Sequence, residues 1–565
     1  MRSFGRNSSE EAPYKDVTCP GRMKYINSFF RERERKIMKK KWKKVAAAAC
    51  TAAIMLSSLF AGSVFAEEDF SAGQTLIVGL QGDPSSFNQV GNPDDWGYVV
   101  SENIFSRLVK LNSNGEVLPD LAQSWEVAED GLTYTFHLAE NAIWHDGEAV
   151  TSADVVWTFE QIMEQSAYLS SYLGSVESFE ATDEHTVVFH MTAPDSALLS
   201  NISFLGATIL PEHVFAGEED WLACDAATSA PVGCGPFKLA EYNKGVSITL
   251  EANPDYFGQV PAYDKLVYQI IPDSNTAIQA FGNGEIDVLG VMPAGSQITT
   301  LKNTPDTVVT STPNFGRYYY GYNFKSEALA DVNVRMALTM AIDRQEIVDK
   351  AYGESGVLAE GYYTPAVEWA YNADAAIPAC DKAKAEELLQ AAGLEKDSDG
   401  YYLHLSLATF NLDPFLNFSQ IMKANLEEVG VDLTINTLDA GAFMELGYSG
   451  EGYDLYAMGG QVGPDPSMFF HRIGTGGMMN FSNYSNEEAD GLFATAASSN
   501  DQEERAECYK KIQEICAEDM IIVPVAEDIA VNAYKDYLTG LPYDTAADRA
   551  AQTEFTYVTF TRNPF

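Results

Sequence analysis

From Thr75 onward, stretches with strand patterning alternate with stretches of helical patterning, and neither a low-complexity linker nor an internal repeat separates them. Thr75–Leu80 (TLIVGL) is a continuous apolar run that stops at Gly82-Asp83-Pro84, the pattern of a buried strand entering a turn. Thr133–Leu138 (TYTFHL) and Thr186–Met191 (TVVFHM) alternate as half-exposed strands do. Thr151-Ser152-Ala153-Asp154 opens a helix: a hydroxyl caps it, and Asp154 suits its positive end. Val155, Val156, Phe159 and Ile162 then recur at helical spacing. Asp331–Met340, Asp381–Ala392 (closed by Gly393) and Gln502–Ala517 read as further helices. Such alternation over about 500 residues implies an α/β protein, and that length exceeds what one hydrophobic core serves, so lobes are expected.

The N-terminal region differs in kind. Met38-Lys39-Lys40-Lys41-Trp42-Lys43-Lys44 is basic, Val45 to Phe60 carries no charge, and Gly62-Ser63-Val64-Phe65-Ala66 precedes Glu67-Glu68-Asp69. This is the layout of a signal peptide, residues 38–66, with cleavage expected after Ala66. Residues 1–37, with the mixed-charge run Arg31–Lys36, read as an extension outside the native chain, translation starting at Met38 or Met23. An exported protein in the periplasm or cell envelope follows. The full chain has a formal net charge of −45, but residues 67–565 hold 22 basic and 76 acidic side chains, a net charge of −54. A surface so acidic repels phosphate backbones and anionic lipid, which argues against nucleic-acid and membrane-surface binding.

Cysteine and histidine usage adds little chemistry. Five cysteines follow Ala66, at 224, 234, 380, 508 and 516, too few and odd in number for a disulfide-stapled scaffold. Cys224 and Cys234 bracket a short loop and form the best candidate disulfide. Cys508 and Cys516 lie eight apart on a helix, roughly 12 Å, too far to bond each other. The seven histidines are scattered, so no zinc site and no cofactor are expected.

A set of motifs gives the chain its character. Pro119-Asp120-Leu121-Ala122-Gln123-Ser124-Trp125-Glu126 leads to Asp130-Gly131-Leu132-Thr133-Tyr134-Thr135-Phe136, and then to Trp144-His145-Asp146-Gly147 and Thr151-Ser152-Ala153-Asp154-Val155-Val156. Pro231-Val232-Gly233-Cys234-Gly235-Pro236-Phe237, Asn253-Pro254-Asp255-Tyr256-Phe257 and Gly284-Glu285-Ile286-Asp287 follow. Val334-Arg335-Met336-Ala337-Leu338, Ala341-Ile342-Asp343-Arg344, Pro464-Asp465-Pro466 and Asn480-Phe481-Ser482-Asn483-Tyr484 complete the series. In this order they resemble the extracellular solute-binding proteins of family 5, the peptide and nickel binders of ABC importers, over essentially all of residues 74–565. Each motif also has a scaffold reading: Trp144–Gly147 is a turn rather than a catalytic His–Asp pair, and Asp343-Arg344 a helix-face ion pair. The family usually has Thr where Cys234 stands, which strengthens the Cys224–Cys234 pairing.

The resemblance implies a periplasmic-binding-protein-like type II fold, two lobes closing by hinge bending, with an extra subdomain in the first. Lobe I is expected from 67–112, 230–316 and 529–565, the inserted subdomain from 113–229, and lobe II from 317–528. Chain crossings fall near Asn314–Tyr320 and Ile522–Asp528. The run Arg317-Tyr318-Tyr319-Tyr320-Gly321-Tyr322-Asn323 matches a family strand that passes the ligand, and alternation puts Tyr318, Tyr320 and Tyr322 on one face.

Peptide-binding members carry an Asp three residues before the Asp-Pro dipeptide, where it pairs with the ligand's amino group; here that position is Val462. The Arg that dipeptide binders place near Phe415 is absent from Phe415–Lys423. An unpaired buried ammonium is costly, so Asp465 or Asp83 must substitute, or the ligand is not an ordinary dipeptide. Ligand contacts are expected at Tyr318, Tyr320, Gln461 and Asp465, with Trp96 and Trp369 as stacking walls. The chain is therefore expected to be a monomeric solute-binding component of an ABC importer, taking a peptide or peptide-like solute to the permease. Binding of a sugar or metal chelate, or presentation of ligand to a membrane receptor, are the alternatives. Neither Gly-x-Ser-x-Gly nor His-Glu-x-x-His nor Gly-Lys occurs, so no hydrolase and no ATP-binding loop are expected.

Overall fold

The computed structural model describes residues 70–564 except 91–93, 113–115, 205–206, 292, 294 and 543–553. The expected signal segment 38–66 and the extension 1–37 lie outside the described residues.

Among the described residues β1 (Thr75–Leu80) comes first, followed by α1 (Asp95–Ile104). Four strands come next, β2 (Ala122–Val127), β3 (Thr133–Leu138), β4 (Val176–Asp183) and β5 (Thr186–Met191), with α2 (Ser152–Gln165) between β3 and β4. They form their own sheet in the order β2-β3-β5-β4, separate from the large one. β6 (Phe237–Asn243), β7 (Ser247–Ala252), β8 (Lys265–Ile270) and β9 (Val288–Leu289) follow. The long β10 (Thr307–Tyr322) leads to α3 (Val332–Ala341), β11 (Gly356–Leu358), α4 (Lys382–Ala391), β12 (Leu403–Phe410), α5 (Asp413–Glu428), β13 (Val431–Leu438) and β14 (Leu455–Gln461). α6 (Glu487–Ser498), α7 (Gln502–Asp519) and β15 (Ile522–Lys535) close the series.

The large sheet runs β13-β12-β14-β10-β15-β9-β1-β8-β7-β6, with β11 added to β15. One hydrophobic core draws on residues 319–526, and a second on residues 76–288 together with 534–560. β10 and β15, strands of 16 and 14 residues, lie side by side near the middle of the sheet. They pair antiparallel in two stretches, Thr307–Pro313 against Lys535–Ile529 and Arg317–Gly321 against Glu527–Ile522. The register breaks between them, where Asn314 Nδ2 donates to Asp528 at 2.6 Å and Gly316 N donates to Asn314 Oδ1 at 2.5 Å.

Local chemistry explains the element ends. Asp331 and Asp381 accept hydrogen bonds from Asn333 N (2.8 Å) and Lys384 N (2.9 Å), capping α3 and α4. Thr151 N donates to Asp154 at 2.8 Å in the capping box of α2. Trp144–Gly147 is a turn: Trp144 N donates to Glu148 O, and Gly147 sits at φ 98°. The Asp343-Arg344 pair is a correction. Asp343 caps the next turn through Glu346 N, while Arg344 is buried and donates to the carbonyls of Ala359 and Pro524. The Cys224–Cys234 disulfide is another, since both are free thiols. The Cys234 thiol is buried, its loop held by the hydrogen bond from Gly235 N to Ile104 O, and the Cys224 thiol is directed at Trp221 O, 3.6 Å away.

Candidate functional site

β14 is paired along its whole length by β10, from Leu455 opposite Tyr322 to Gln461 opposite Gly316. On its other side β12 pairs only with Leu455, Tyr456 and Ala457. Met458–Gln461 therefore presents an open strand edge. By strand alternation the N–H and C=O of Gly459 face this open side, because Val462 N, three residues on, bonds Phe315 O of β10. An unpaired backbone edge is a template for another extended chain.

Glycine is required along this edge. A Cβ on Gly459 would stand 2.6 Å from the Tyr318 ring and 3.2 Å from Phe415. Gly460 (φ 138°) and Gly463 (φ 76°) adopt backbone conformations that L side chains resist. Gly460 and Gln461 are exposed, whereas Val462 is fully buried.

One face of the edge is aromatic. Tyr318 stacks on Tyr352 with centroids 4.3 Å apart and meets Phe415 edge-on at 5.8 Å. Asp528 lies beside them; burial raises its carboxyl pKa, and Asn314 is its side-chain hydrogen-bond partner. The opposite face carries charge. Arg317 pairs with Glu527 at 2.7 Å and donates to the carbonyls of Tyr362 and Gly361. Tyr363 OH donates to Val462 O and Gly463 O, each at 3.1 Å. Arg472, 3% exposed, donates to Gln461 O.

The expected ligand contacts separate into groups. Gln461 lies on the same strand edge as Gly459, the ladder partner of Tyr318. Tyr320 is a correction: it is fully buried under α5, edge-on to Phe418 at 6.4 Å, and burial pushes its phenol up to about 12. β10 is a central strand with both faces covered, so Tyr319 on the other face is equally buried. Asp465 is a second correction, because both its oxygens are engaged by Arg505, whose guanidinium also lies over the Trp369 ring at 5.2 Å. Trp369 is thereby committed to this cation and to Tyr509. Trp96 packs its indole against Gly82, where an added Cβ would meet it at 2.2 Å. Asp83 accepts from Tyr242 OH and Gly245 N, both at 3.0 Å, so it is no free amine acceptor either.

Sequence reasoning missed Tyr352, Asp528, Arg472 and Arg505. For the arginines a signal existed: in a chain with so few basic residues, each buried cation needs a reason. Among the described residues no group of three or more His, Cys, Asp and Glu side chains is placed to hold a metal ion. The segment carrying the small sheet reaches across to the region after β14. Tyr172 and His471 lie 4.5 Å apart, and Ser196 N donates to Ala497 O at 2.9 Å.

Comparison with known proteins agrees with this architecture. Residues 116–481 match the bacterial extracellular solute-binding proteins, family 5. The dipeptide-binding protein of Escherichia coli K12 is 30% identical over 475 residues, covering 78% of this chain and 86% of the relative. The oligopeptide-binding protein AppA of Bacillus subtilis is 28% identical, covering 79% and 85%. Among solved structures, the ABC transporter substrate-binding protein CtaP of Listeria monocytogenes superposes with a TM-score of 0.76 at 28% identity, over 88% of this chain and all of that one. AppA of Bacillus subtilis in complex with a nonapeptide gives 0.72 at 25% identity, over 87% and 100%. The fold is that of the type II periplasmic binding proteins, and the chain belongs to the extracellular solute-binding proteins of family 5.

Proposed function

We propose that this protein captures an extended peptide or peptide-like solute along the open edge of β14 and delivers it to the permease of an ABC importer. The observation that carries the reading is the segment Met458–Gln461, paired by β10 on one side but by no strand on the β12 side, with Gly459 bare and Tyr318 packed over it. Backbone pairing at such an edge supplies affinity without regard to side chains. Relatives named for dipeptide and oligopeptide binding, and a neighbour solved with a nonapeptide, support the same cargo class.

The ligand's amino end is not clamped in the usual way. Val462 is apolar, and Asp83 and Asp465 already have partners. This favours peptides longer than two residues or with modified amino ends. Lobe opening and closure would bend at the register break between Asn314 and Asp528, and the contact of Tyr172 with His471, 4.5 Å apart here, is one that opening would release. Export, cleavage after Ala66 and a monomeric state complete the reading, which is one of binding rather than chemistry.

The test is a thermal-shift and calorimetry screen of the purified exported protein against peptide pools, oligosaccharides, polyamines and nickel chelates. Peptides should raise Tm, by an amount equivalent to about 2.7 kcal/mol at one hundred times Kd. A shift with sugars or chelates alone would overturn the reading.

A further inference from the structure

The buried arginines differ in how their charge is met. Arg317 and Arg505 each face a carboxylate, Glu527 and Asp465. Arg107 pairs with Glu102. Arg335 and Arg344 face none, but several backbone carbonyls satisfy them: Asp519, Leu329 and Ala330 for the first, Ala359 and Pro524 for the second. Arg472 has neither arrangement. No carboxylate pairs with it among the described residues, its one backbone acceptor is Gln461 O, and its Nε, like that of Arg317, is buried with no partner.

Its location gives that deficit a meaning. Its terminal nitrogen stands 3.6 Å from where a Cβ on Gly460 would be, next to the exposed end of the open edge. The phenol of Tyr319 lies beside it on the same face. The neighbouring His471, whose imidazole burial and the Arg472 charge together push down to about 4, contacts Tyr172 from the segment that closes over this region. Apart from Gln461 O and the neighbouring Tyr319 phenol, this guanidinium has donor capacity that no carboxylate of the described residues takes up. A planar fork of N–H donors is suited to a carboxylate.

We propose that Arg472 receives a carboxylate of the bound solute, the C-terminal carboxylate when the solute is a peptide. This rests on the reading that the solute lies along the edge of β14. The site would then recognise the carboxyl end of its ligand even though the usual acidic clamp for the amino end is missing at Val462.

The experiment compares two equimolar pools of synthetic tri- to pentapeptides lacking Asp and Glu, identical except that one has free C-terminal carboxylates and the other C-terminal amides. Binding to the full exported protein is measured by calorimetry for wild type and Arg472→Gln. Wild type should favour the free acids by about tenfold to a hundredfold, the range of a hydrogen bond to a charged group. Arg472→Gln should bind both pools as wild type binds the amides. Equal binding of the pools by wild type overturns the assignment and leaves the peptide reading intact, and this arm needs no variant to fold. A preference retained in Arg472→Gln overturns it too. If neither pool binds, the peptide reading fails and the role of Arg472 falls with it.

Discussion

One terminal nitrogen of Arg505 stands 2.8 Å from each carboxylate oxygen of Asp465. This contact ties α7 to the loop that follows β14, and the same carboxylate accepts Ser467 N at 2.9 Å. Removing one member leaves a buried charge unpaired, so Asp465→Ala should lose about 3–5 kcal/mol in urea unfolding. Replacing both, as Asp465→Leu with Arg505→Met, should recover most of that loss. An Asp465→Ala protein as stable as wild type but unable to bind ligand would return Asp465 to the binding site.

Tyr320 separates packing from binding in the same way. Its ring fills space beside Tyr322 and Phe418. Tyr320→Ala should cost about 3–5 kcal/mol through the cavity it leaves, whereas Tyr320→Phe should keep ligand affinity within about twofold. Loss of affinity in a fully stable Tyr320→Ala protein would show that the ring lines the cleft.

These two residues also show where local reading stops. The strand Thr75–Leu80 and the caps Asp331 and Asp381 were legible because apolar runs and N-caps act over a few residues. The break between the two stretches of β10–β15 pairing depends on long-range register, which no local pattern in the sequence marks. The tyrosine run resisted. Alternation groups Tyr318 with Tyr320, but β10 is central and buried on both faces, so no polar face marks the cleft. What distinguishes Tyr318 is its neighbour across the ladder, Gly459, which local sequence does not reveal. The Arg505 partnership was hidden because α7 reads as a charged amphipathic helix, which does not say which of its cations is buried, and Asp465 lies forty residues earlier. Cys224 and Cys234 were close in sequence, yet their thiols have different surroundings.

Asp195 gives stability a pH dependence. Burial raises its carboxyl pKa to about 6, and the nearby Asp465 adds to the shift. A carboxyl held above its unfolded value of about 3.9 favours the protonated folded state. The resulting penalty is absent below pH 4, grows between pH 4 and 6, and is complete above pH 6. Asp195→Asn keeps an oxygen for the bond from Ala197 N, now 3.0 Å from Oδ1. The variant should be more stable than wild type by about 3 kcal/mol at pH 7.5 and indistinguishable from it near pH 4. Equal gains at both pH values would show that the charge is not the cause.

The open edge of β14 yields the most direct pair of variants. Gln461 is exposed and donates no side-chain bond that the fold depends on, so Gln461→Ala should leave the unfolding free energy within the range of surface substitutions, about 0.5 kcal/mol. If its amide meets the ligand, affinity should fall about threefold to tenfold, the worth of one net hydrogen bond. Gly459→Val acts differently. Its Cβ would enter the 2.6 Å gap to the Tyr318 ring, and its branches would cover the backbone groups that face the open side. Overpacking of this kind costs about 1–3 kcal/mol, which the folded protein should survive, while peptide binding should drop more than tenfold. A Gly459→Val protein that is folded and binds peptides as wild type does would place the ligand away from this edge. The Gln461→Ala measurement would then decide between the exposed end of β14 and another part of the cleft.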